Sequence, residues 1–218
     1  MEEIEYKIVI KQLKNEFDVI IIGGGVAGMS CALVLGSAKI KPYAVDKKIG
    51  IVIHQKSSSL DRAIFNNVLG IKPGTTGKEI LEKGKKQLSE TYPHVVQIEK
   101  EKVLKIEGEA NNFTVYTNKN SYKSKILVIA AGRSNLFNIE GLMQYVEAHK
   151  NLPAIKKRIQ LKNINHKVAE NIYVAGVLAG WRSQYAAAAG SGAHVATDIL
   201  TLWNGGETAM IHDSIKDL

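Results

Sequence analysis

The sequence predicts an α/β fold, a parallel sheet with flanking helices and a small β-meander, on three observations. A continuous apolar run, Val19 to Ile22, leads directly into Gly23-Gly24-Gly25-Val26-Ala27-Gly28, a Gly-x-Gly-x-x-Gly turn. A second such run, Asn171-Ile172-Tyr173-Val174-Ala175-Gly176, also ends in glycine near the far end of the chain. Between them, segments of helical periodicity give way to short β-runs separated by Asn-rich turns. Short apolar runs bounded by turn residues mark parallel strands buried on both faces.

The first glycine turn carries the chemistry. Gly23 allows a sharp turn, Gly25 lets backbone N–H groups approach phosphate oxygens, and Gly28 lets the next helix, predicted over Met29 to Gly36, pack closely on the sheet. That helix directs its N-terminal partial positive charge and its free N–H groups at an anion. Eighteen residues past Gly28, the run Pro42-Tyr43-Ala44-Val45 ends at Asp46, with Lys47 beside it. This reads as a second strand whose terminal carboxylate accepts hydrogen bonds from the ribose hydroxyls of an adenosine. The order strand, turn, helix, strand, acid is Rossmann-like, the FAD/NAD(P)-binding arrangement, and the turn alone does not choose between the two nucleotides.

The remaining elements follow from local pattern. Residues 4 to 11 alternate roughly between apolar and polar and read as an extra strand at a sheet edge. Residues 47 to 74 lose periodicity and read as a long loop over a ligand. Thr76 is a candidate N-cap for a helix from Gly77 to Tyr92, with Ile80, Leu81 and Leu88 on its apolar side. Strands are predicted at 95–98, 103–106, 113–117 and 126–130, with Asn111-Asn112 and residues 118–120 turning between them. A connector over 133–170, its Lys-rich middle read as partly helical, precedes the strand ending at Gly176. An Ala-rich helix from about Ser183 to Trp203 follows, and residues from Asn204 onward read as a loop.

Composition narrows the class. The chain has 218 residues, 45% hydrophobic and 23% charged, which suits one domain and excludes disordered or collagen-like chains. No apolar stretch reaches the length of a bilayer span, and the acidic start Met1-Glu2-Glu3 is unlike a secretory signal, so the expected setting is cytoplasmic, without a membrane. The formal charge is +8. Its densest segment, Lys156-Lys157-Arg158 to Lys167, has no interleaved aromatics and no nucleic-acid motif, so it reads as solvated surface. A single cysteine, Cys31, forbids an intrachain disulfide or a Cys-x-x-Cys pair, and its apolar neighbours Ala32, Val34 and Leu35 mark it as a core residue.

In sequential order these residues resemble the FAD-binding domain of the two-dinucleotide-binding-domain flavoproteins, most closely the low-molecular-weight thioredoxin reductases. Beyond the glycine turn and Asp46, Asn67-Val68-Leu69-Gly70 resembles the family's Asn-Phe-Pro-Gly segment, and Thr76 to Ile80 resembles its Thr-Gly-x-Glu-Leu helix start. Ala130-Ala131-Gly132 resembles its Ala-Thr-Gly strand end. Ala175-Gly176-Val177 occupies the place of its Ala-Gly-Asp strand end, and Ser183-Gln184-Tyr185 through Gly192 that of its last helix. The resemblance implies FAD, with Gly23, Gly25, Val26, Ala27 and Gly28 at the pyrophosphate, Asp46 at the adenosine ribose, Lys47 beside it among the cofactor-binding residues, and Asn67 near the flavin or ribitol. Ala131, Gly132, Gly176 and Val177 line the same groove, and the helix start at Gln184 and Tyr185 faces the flavin carbonyl O2. Asn67 as a turn residue and Gln184 as an exposed first-turn residue are the plain alternatives.

Three departures qualify the resemblance. The family's redox cysteine pair is absent. Gly132 and Gly176 lie only 44 residues apart, too close for the family's NADPH domain to fit between them. Val177 stands in place of the aspartate that holds the ribitol and pyrophosphate region, a loss worth about 1.5–3 kcal/mol of binding. The leading expectation is therefore a minimal FAD-dependent oxidoreductase-like protein fed by an external electron donor or partner reductase, its small-molecule substrate unnamed and its open flavin face serving as a substrate cleft or as a contact surface completed by a second subunit of a homo-oligomer. A non-catalytic flavin-binding or redox-sensing module and a small NAD(P)-binding reductase are the alternatives. His54, in the loop over the cofactor, is the acid-base candidate, with a surface role as its alternative. Trp181 and Arg182 either face the flavin site or pack the connector. The histidines show no metal-ligand spacing.

Overall fold

The computed structural model describes residues 15–54, 60–132, 136–209 and 211–212. The strand expected over 4–11 lies outside them. The central strand β1 (Glu16–Ile22) pairs in parallel with β2 (Ile49–Ile53) on one side and β8 (Ser121–Ile129) on the other. β2 in turn pairs with β5 (Val96–Glu99), β8 with β12 (Ile172–Val174), and β12 with the antiparallel β11 (Lys167–Ala169). The order across the sheet is thus β11-β12-β8-β1-β2-β5. An antiparallel meander, β6 (Val103–Glu109) and β7 (Asn112–Thr117), joins the first half of β8.

Both faces of the sheet are covered, which is why β1 and the end of β8 are apolar without interruption. Val19 and Ile21 of β1 face α1 (Val26–Ser37) and α3 (Tyr185–Trp203), where Leu35, Val195 and Ile199 are fully buried. Ile20 and Ile22 face the opposite way, against Val115 of the meander and Leu142, Leu161 and Leu178. Alternate residues of a strand point to opposite faces, so one apolar run feeds two cores. A further helix, α2 (Gly77–Thr91), begins with a capping box: the Thr76 hydroxyl accepts from the Glu79 N–H at 3.2 Å and the Glu79 carboxylate accepts from the Thr76 N–H at 2.7 Å. Thr76 is the N-cap that the pattern predicts.

Three expectations are corrected. Pro42 to Asp46 is not a strand but a series of turns after α1. Pro42 lacks a ladder donor, and the second strand is Ile49–Ile53, all five residues buried, within the stretch read as loop. The rest of that stretch includes a small antiparallel flap, β3 (Ile64–Phe65) paired with β4 (Thr75–Thr76). The Lys-rich connector is not helical beyond short 3-10 turns: its β9 (Val146–Ala148) and β10 (Ile159–Leu161) form a two-stranded hairpin around a 3-10 turn at Ala154–Lys156. Ile155 is exposed there and Pro153 precedes it, so no apolar stripe exists for a longer helix to bury.

At the edge where β1 begins, Asp18 ties three strands together. Its carboxylate accepts from the Lys48 N–H at 2.9 Å, ahead of β2, and from Lys125 Nζ at 2.9 Å on β8. Burial works against its charge, but the Lys48 N–H and the Lys125 ammonium outweigh it and hold the carboxyl below its usual range. A depressed native pKa contributes stability that is present above the unfolded value, near 3.9, and is lost as pH falls through the native value. Asp18→Asn is expected to cost about 1–2 kcal/mol at neutral pH, discounted because Lys125 is exposed. Urea unfolding followed from pH 7 downwards should show the variant and the wild type converging in acid.

Candidate functional site

Parallel pairing brings four chain turns to one level at the C-terminal edge of the sheet. Ile22 is in register with Val52 on one side and Ile129 on the other, and Ile129 with Val174. Hydrogen bonds carry the alignment one residue further: Gly23 N–H donates to Val52 O at 3.0 Å, Ala130 N–H to Ile22 O at 2.8 Å, and Ala175 N–H to Ile129 O at 2.9 Å. The glycine turn, Ala131 with Gly132, Gly176 with Val177, and His54 thus stand side by side. A crevice at the carboxyl ends of parallel strands is where open α/β sheets take ligands.

The glycine turn is shaped by contact. Gly23 has φ +120°, and a Cβ there would lie 2.4 Å from Ala130 O. A Cβ on Gly28 would lie 1.8 Å from Gly23 O, so only glycine lets α1 start this close to the strand end. Gly25 faces open space, with nothing within 4 Å of where its Cβ would be. It is the N-cap of α1, whose start has no side-chain cap and no acidic residue in its first turn. Val26 is half-buried beside it, and Ala27 is buried against Gly176 and Gly192. The result is a concave backbone surface with N–H groups at a positive helix end.

Beside this turn lies a cavity of about 410 Å³ between α1, α2, the flap and α3, lined by residues including Gly25, Val26, Met29, Ile71, Thr75 and Tyr185. Tyr185, first residue of α3, sets its ring edge-on to Phe65 of the flap at 5.3 Å, and burial pushes its phenol up. Gln184 is the exposed N-cap of α3 and its side chain caps nothing. Asn67 is exposed on the flap, where the neighbouring Asn66 carboxamide accepts from Gly74 N–H at 2.8 Å. Ala131 and Gly132 are exposed beyond β8. Most of the predicted residues therefore share one end of the molecule.

Asp46 and Lys47 do not. They precede β2, at the opposite edge, where the Lys48 carbonyl accepts from Asp18 N–H at 2.8 Å. Lys47 Nζ stands 5.6 Å over the ring of Trp203, at the far end of α3. The length of β2, about 3.3 Å per residue, separates them from the glycine turn. The ribose-binding role expected of Asp46 presumes that it ends the second strand, and that placement is corrected: β2 ends at Ile53 and His54 follows it. The misplacement arose because Pro42–Val45 and Ile49–Ile53 are both short apolar runs, and pattern alone cannot say which one the sheet accepts.

Sequence reading also missed the residues behind the strand ends. Ser191 of α3 is fully buried and its hydroxyl accepts from Gly176 N–H at 2.7 Å. His166, 3% exposed, places Nδ1 2.8 Å from Val174 O, and burial holds its pKa down. Trp181 lies against the His166 ring at 5.3 Å, so it packs the connector, while Arg182 is exposed. Cys31 is fully buried on α1, and burial pushes its thiol far above the usual range, as its core reading requires. No group of His, Cys, Asp and Glu among the described residues is arranged to hold a metal ion, and no described helix is long and apolar enough to cross a membrane. Between β8 and β12 the described residues contain the β9-β10 hairpin, short turns and the edge strand β11, and no second glycine fingerprint.

Comparison with known proteins agrees with this geometry. The family model for pyridine nucleotide-disulphide oxidoreductases matches residues 17–197. An uncharacterised oxidoreductase, CzcO, of Bacillus velezensis is 27% identical over 143 residues, 61% of this chain and 41% of that protein, so the chain spans less than half the length of this curated relative. Among solved structures, a thioredoxin reductase from Gloeobacter violaceus superposes with a TM-score of 0.69 at 15% identity, covering 93% of this chain and 99% of that one. A ferredoxin-flavin thioredoxin reductase from Clostridium acetobutylicum gives 0.63 at 18% identity, covering 87% and 99%. An oxidoreductase from Agrobacterium tumefaciens gives 0.64 at 17%, covering 86% and 98%. At such identities the likeness is one of fold, the thioredoxin reductase-like nucleotide-binding fold.

The two glycines inside α3 separate packing from chain freedom. A Cβ on Gly192 would lie 2.0 Å from Ala27 O, whereas Gly190 faces open space. Gly192→Ala is expected to cost about 1–3 kcal/mol by forcing α3 off α1, and Gly190→Ala to stabilise by about 0.5–1 kcal/mol through helix propensity. Thermal or urea unfolding of the two variants checks both signs.

Proposed function

The chain belongs to the pyridine nucleotide-disulphide oxidoreductase family, and from that premise we propose that it is a minimal FAD-binding oxidoreductase, thioredoxin reductase-like in fold but without dithiol chemistry, that takes electrons from an external donor or partner reductase. The observation that carries this reading is the level set of strand ends around an open, uncapped glycine turn. That surface fits a pyrophosphate: Gly25 leaves room for it, and the first N–H groups of α1 have no side-chain partner there. When bound, FAD would supply the two-electron chemistry that the protein side chains lack.

The chain's own residues bind and orient. Gly23 and Gly28 hold the turn open, Ala131, Gly132, Gly176 and Val177 extend the groove along the strand ends, and the N-terminus of α3 at Gln184 and Tyr185 offers backbone N–H groups to an electron-rich carbonyl. Phe65 and Tyr185 form an apolar wall between flap and helix. Cys31, the sole cysteine and deeply buried, takes no part in electron transfer. A cytoplasmic setting and a soluble donor complete this reading.

One observation favours a second reading. His54, rather than a carboxylate, directly follows β2, so no acid stands at that position to read an unmodified ribose. NADP at the same turn, whose ribose carries a 2′-phosphate that such an acid would repel, is the form of the NAD(P) reading that benefits. Calorimetry with the three nucleotides decides between them: the FAD reading expects a yellow protein, or one that turns yellow on adding FAD, with FAD bound more tightly than NAD or NADP. NADP binding without FAD binding would falsify it. Gly25→Ala, which fills the open cradle, is expected to weaken FAD at least ~10-fold while changing stability by no more than about 1 kcal/mol.

A further inference from the structure

The turn that follows β12 is held from outside its own segment. Gly176–Ala179 form a short 3-10 turn closed by Gly180, and the connector occupies three of its carbonyls. His149 Nε2 lies 2.9 Å from Val177 O, Asn151 Nδ2 donates to Gly180 O at 2.7 Å, and Asn163 Nδ2 reaches Ala179 O at 3.3 Å while donating to Leu161 O at 2.7 Å. The hydrogen bonds define the His149 tautomer. Asn151 N–H donates to His149 Nδ1 at 3.2 Å, so Nδ1 is the acceptor and Nε2 carries the hydrogen that Val177 O receives.

The clamp is itself anchored. His149 is 5% exposed, and its N–H donates to Arg158 O across the β9-β10 hairpin at 2.9 Å. Gln160 accepts from Lys150 N–H at 3.0 Å and donates to Glu147 at 2.6 Å. Gly180 has φ +86°, and a Cβ there would lie 2.7 Å from Gln160 Oε1 and 2.9 Å from Lys150 Cε. The turn is thus pressed against the hairpin as well as bonded to it. Its other end meets the nucleotide cradle, because a Cβ on Gly176 would lie 2.8 Å from Ala27 Cβ in the first turn of α1.

We propose that His149, supported by Asn151 and Asn163, is a positioning residue for the cofactor-facing turn: the connector fixes the backbone of Gly176–Gly180 beside the glycine turn, where the resembling family places an aspartate and this chain has Val177. The connector then does more than bridge two strands. It sets the part of the groove wall that the Val177 side chain cannot hold by hydrogen bonding. The link to the cofactor rests on the FAD reading, whereas the clamp itself does not.

The test uses the full chain as wild type, His149→Gln, His149→Asn and Asn151→Ala. A Gln amide reaches the Nε2 position and donates to Val177 O; an Asn amide stops at the Nδ1 position. Asn151 is exposed, so its variant stays falsifiable even if His149→Asn fails to fold. Two readouts are taken: deuterium exchange of the peptide spanning 176–184 in the apoprotein, and the FAD dissociation constant by flavin fluorescence. His149→Asn and Asn151→Ala are expected to exchange faster and to bind FAD ~5- to 10-fold more weakly, as loss of one hydrogen bond implies, with His149→Gln restored to near wild type. Unchanged exchange in both weakened variants overturns the clamp, and equal losses in Gln and Asn overturn the donor assignment. Faster exchange with unaltered FAD affinity overturns the cofactor role. A wild type that binds no FAD, with the exchange pattern as expected, sinks the flavin reading and leaves the clamp standing.

Discussion

The parallel register of β2, β1, β8 and β12 is the constraint on which the rest depends. Each strand is short, yet its last hydrogen bonds run on into the turn that follows, from Gly23 to Val52, from Ala130 to Ile22 and from Ala175 to Ile129. Four segments distant in sequence are thereby fixed at one height. A slip of one residue in any strand would turn its side chains to the other face and break both cores. Site geometry and core packing are thus the same specification, read at the end and in the middle of the strands.

Close approach then selects glycine. α1 can start at the strand end only because Gly28 meets Gly23 O, and α3 can cross it only because Gly192 meets Ala27 O. Both contacts involve backbone, which cannot swing aside as a side chain does. The open Gly25 between them is different: nothing lies within 4 Å of where its Cβ would be, so close packing does not select glycine there as it does at its neighbours. The flap, with Phe65 against Tyr185, and the connector, with His149 against Val177, close the groove from two further sides.

Elements with strong local signals were legible before the structure. The strand into Gly23, the Thr76 cap, the meander and the Ala-rich α3 all stand where their patterns put them. Asp46 failed for a reason that local pattern contains no means to detect. Pro42–Val45 and Ile49–Ile53 compete as second strands, and the sheet takes the second, in parallel register with β1 and tied to it where the Asp18 carboxylate accepts from the Lys48 N–H, thirty residues away in sequence. The connector failed similarly: its lysines suit a helix, but an exposed Ile155 offers no face to bury, and its polar residues are committed to the turn after β12.

By itself the sequence determined the glycine turn, the single cysteine, the number of residues available between Gly132 and Gly176, and the Thr76 cap, because each of these is local or a matter of count. Tertiary structure alone decided that His54 rather than Asp46 follows the end of the second strand, that Ser191 and His149 hold the strand ends from behind, and that Gly192 is a crossing point. Those depend on which segments meet, and meeting is governed by register and burial across the whole chain, which no single window of residues contains.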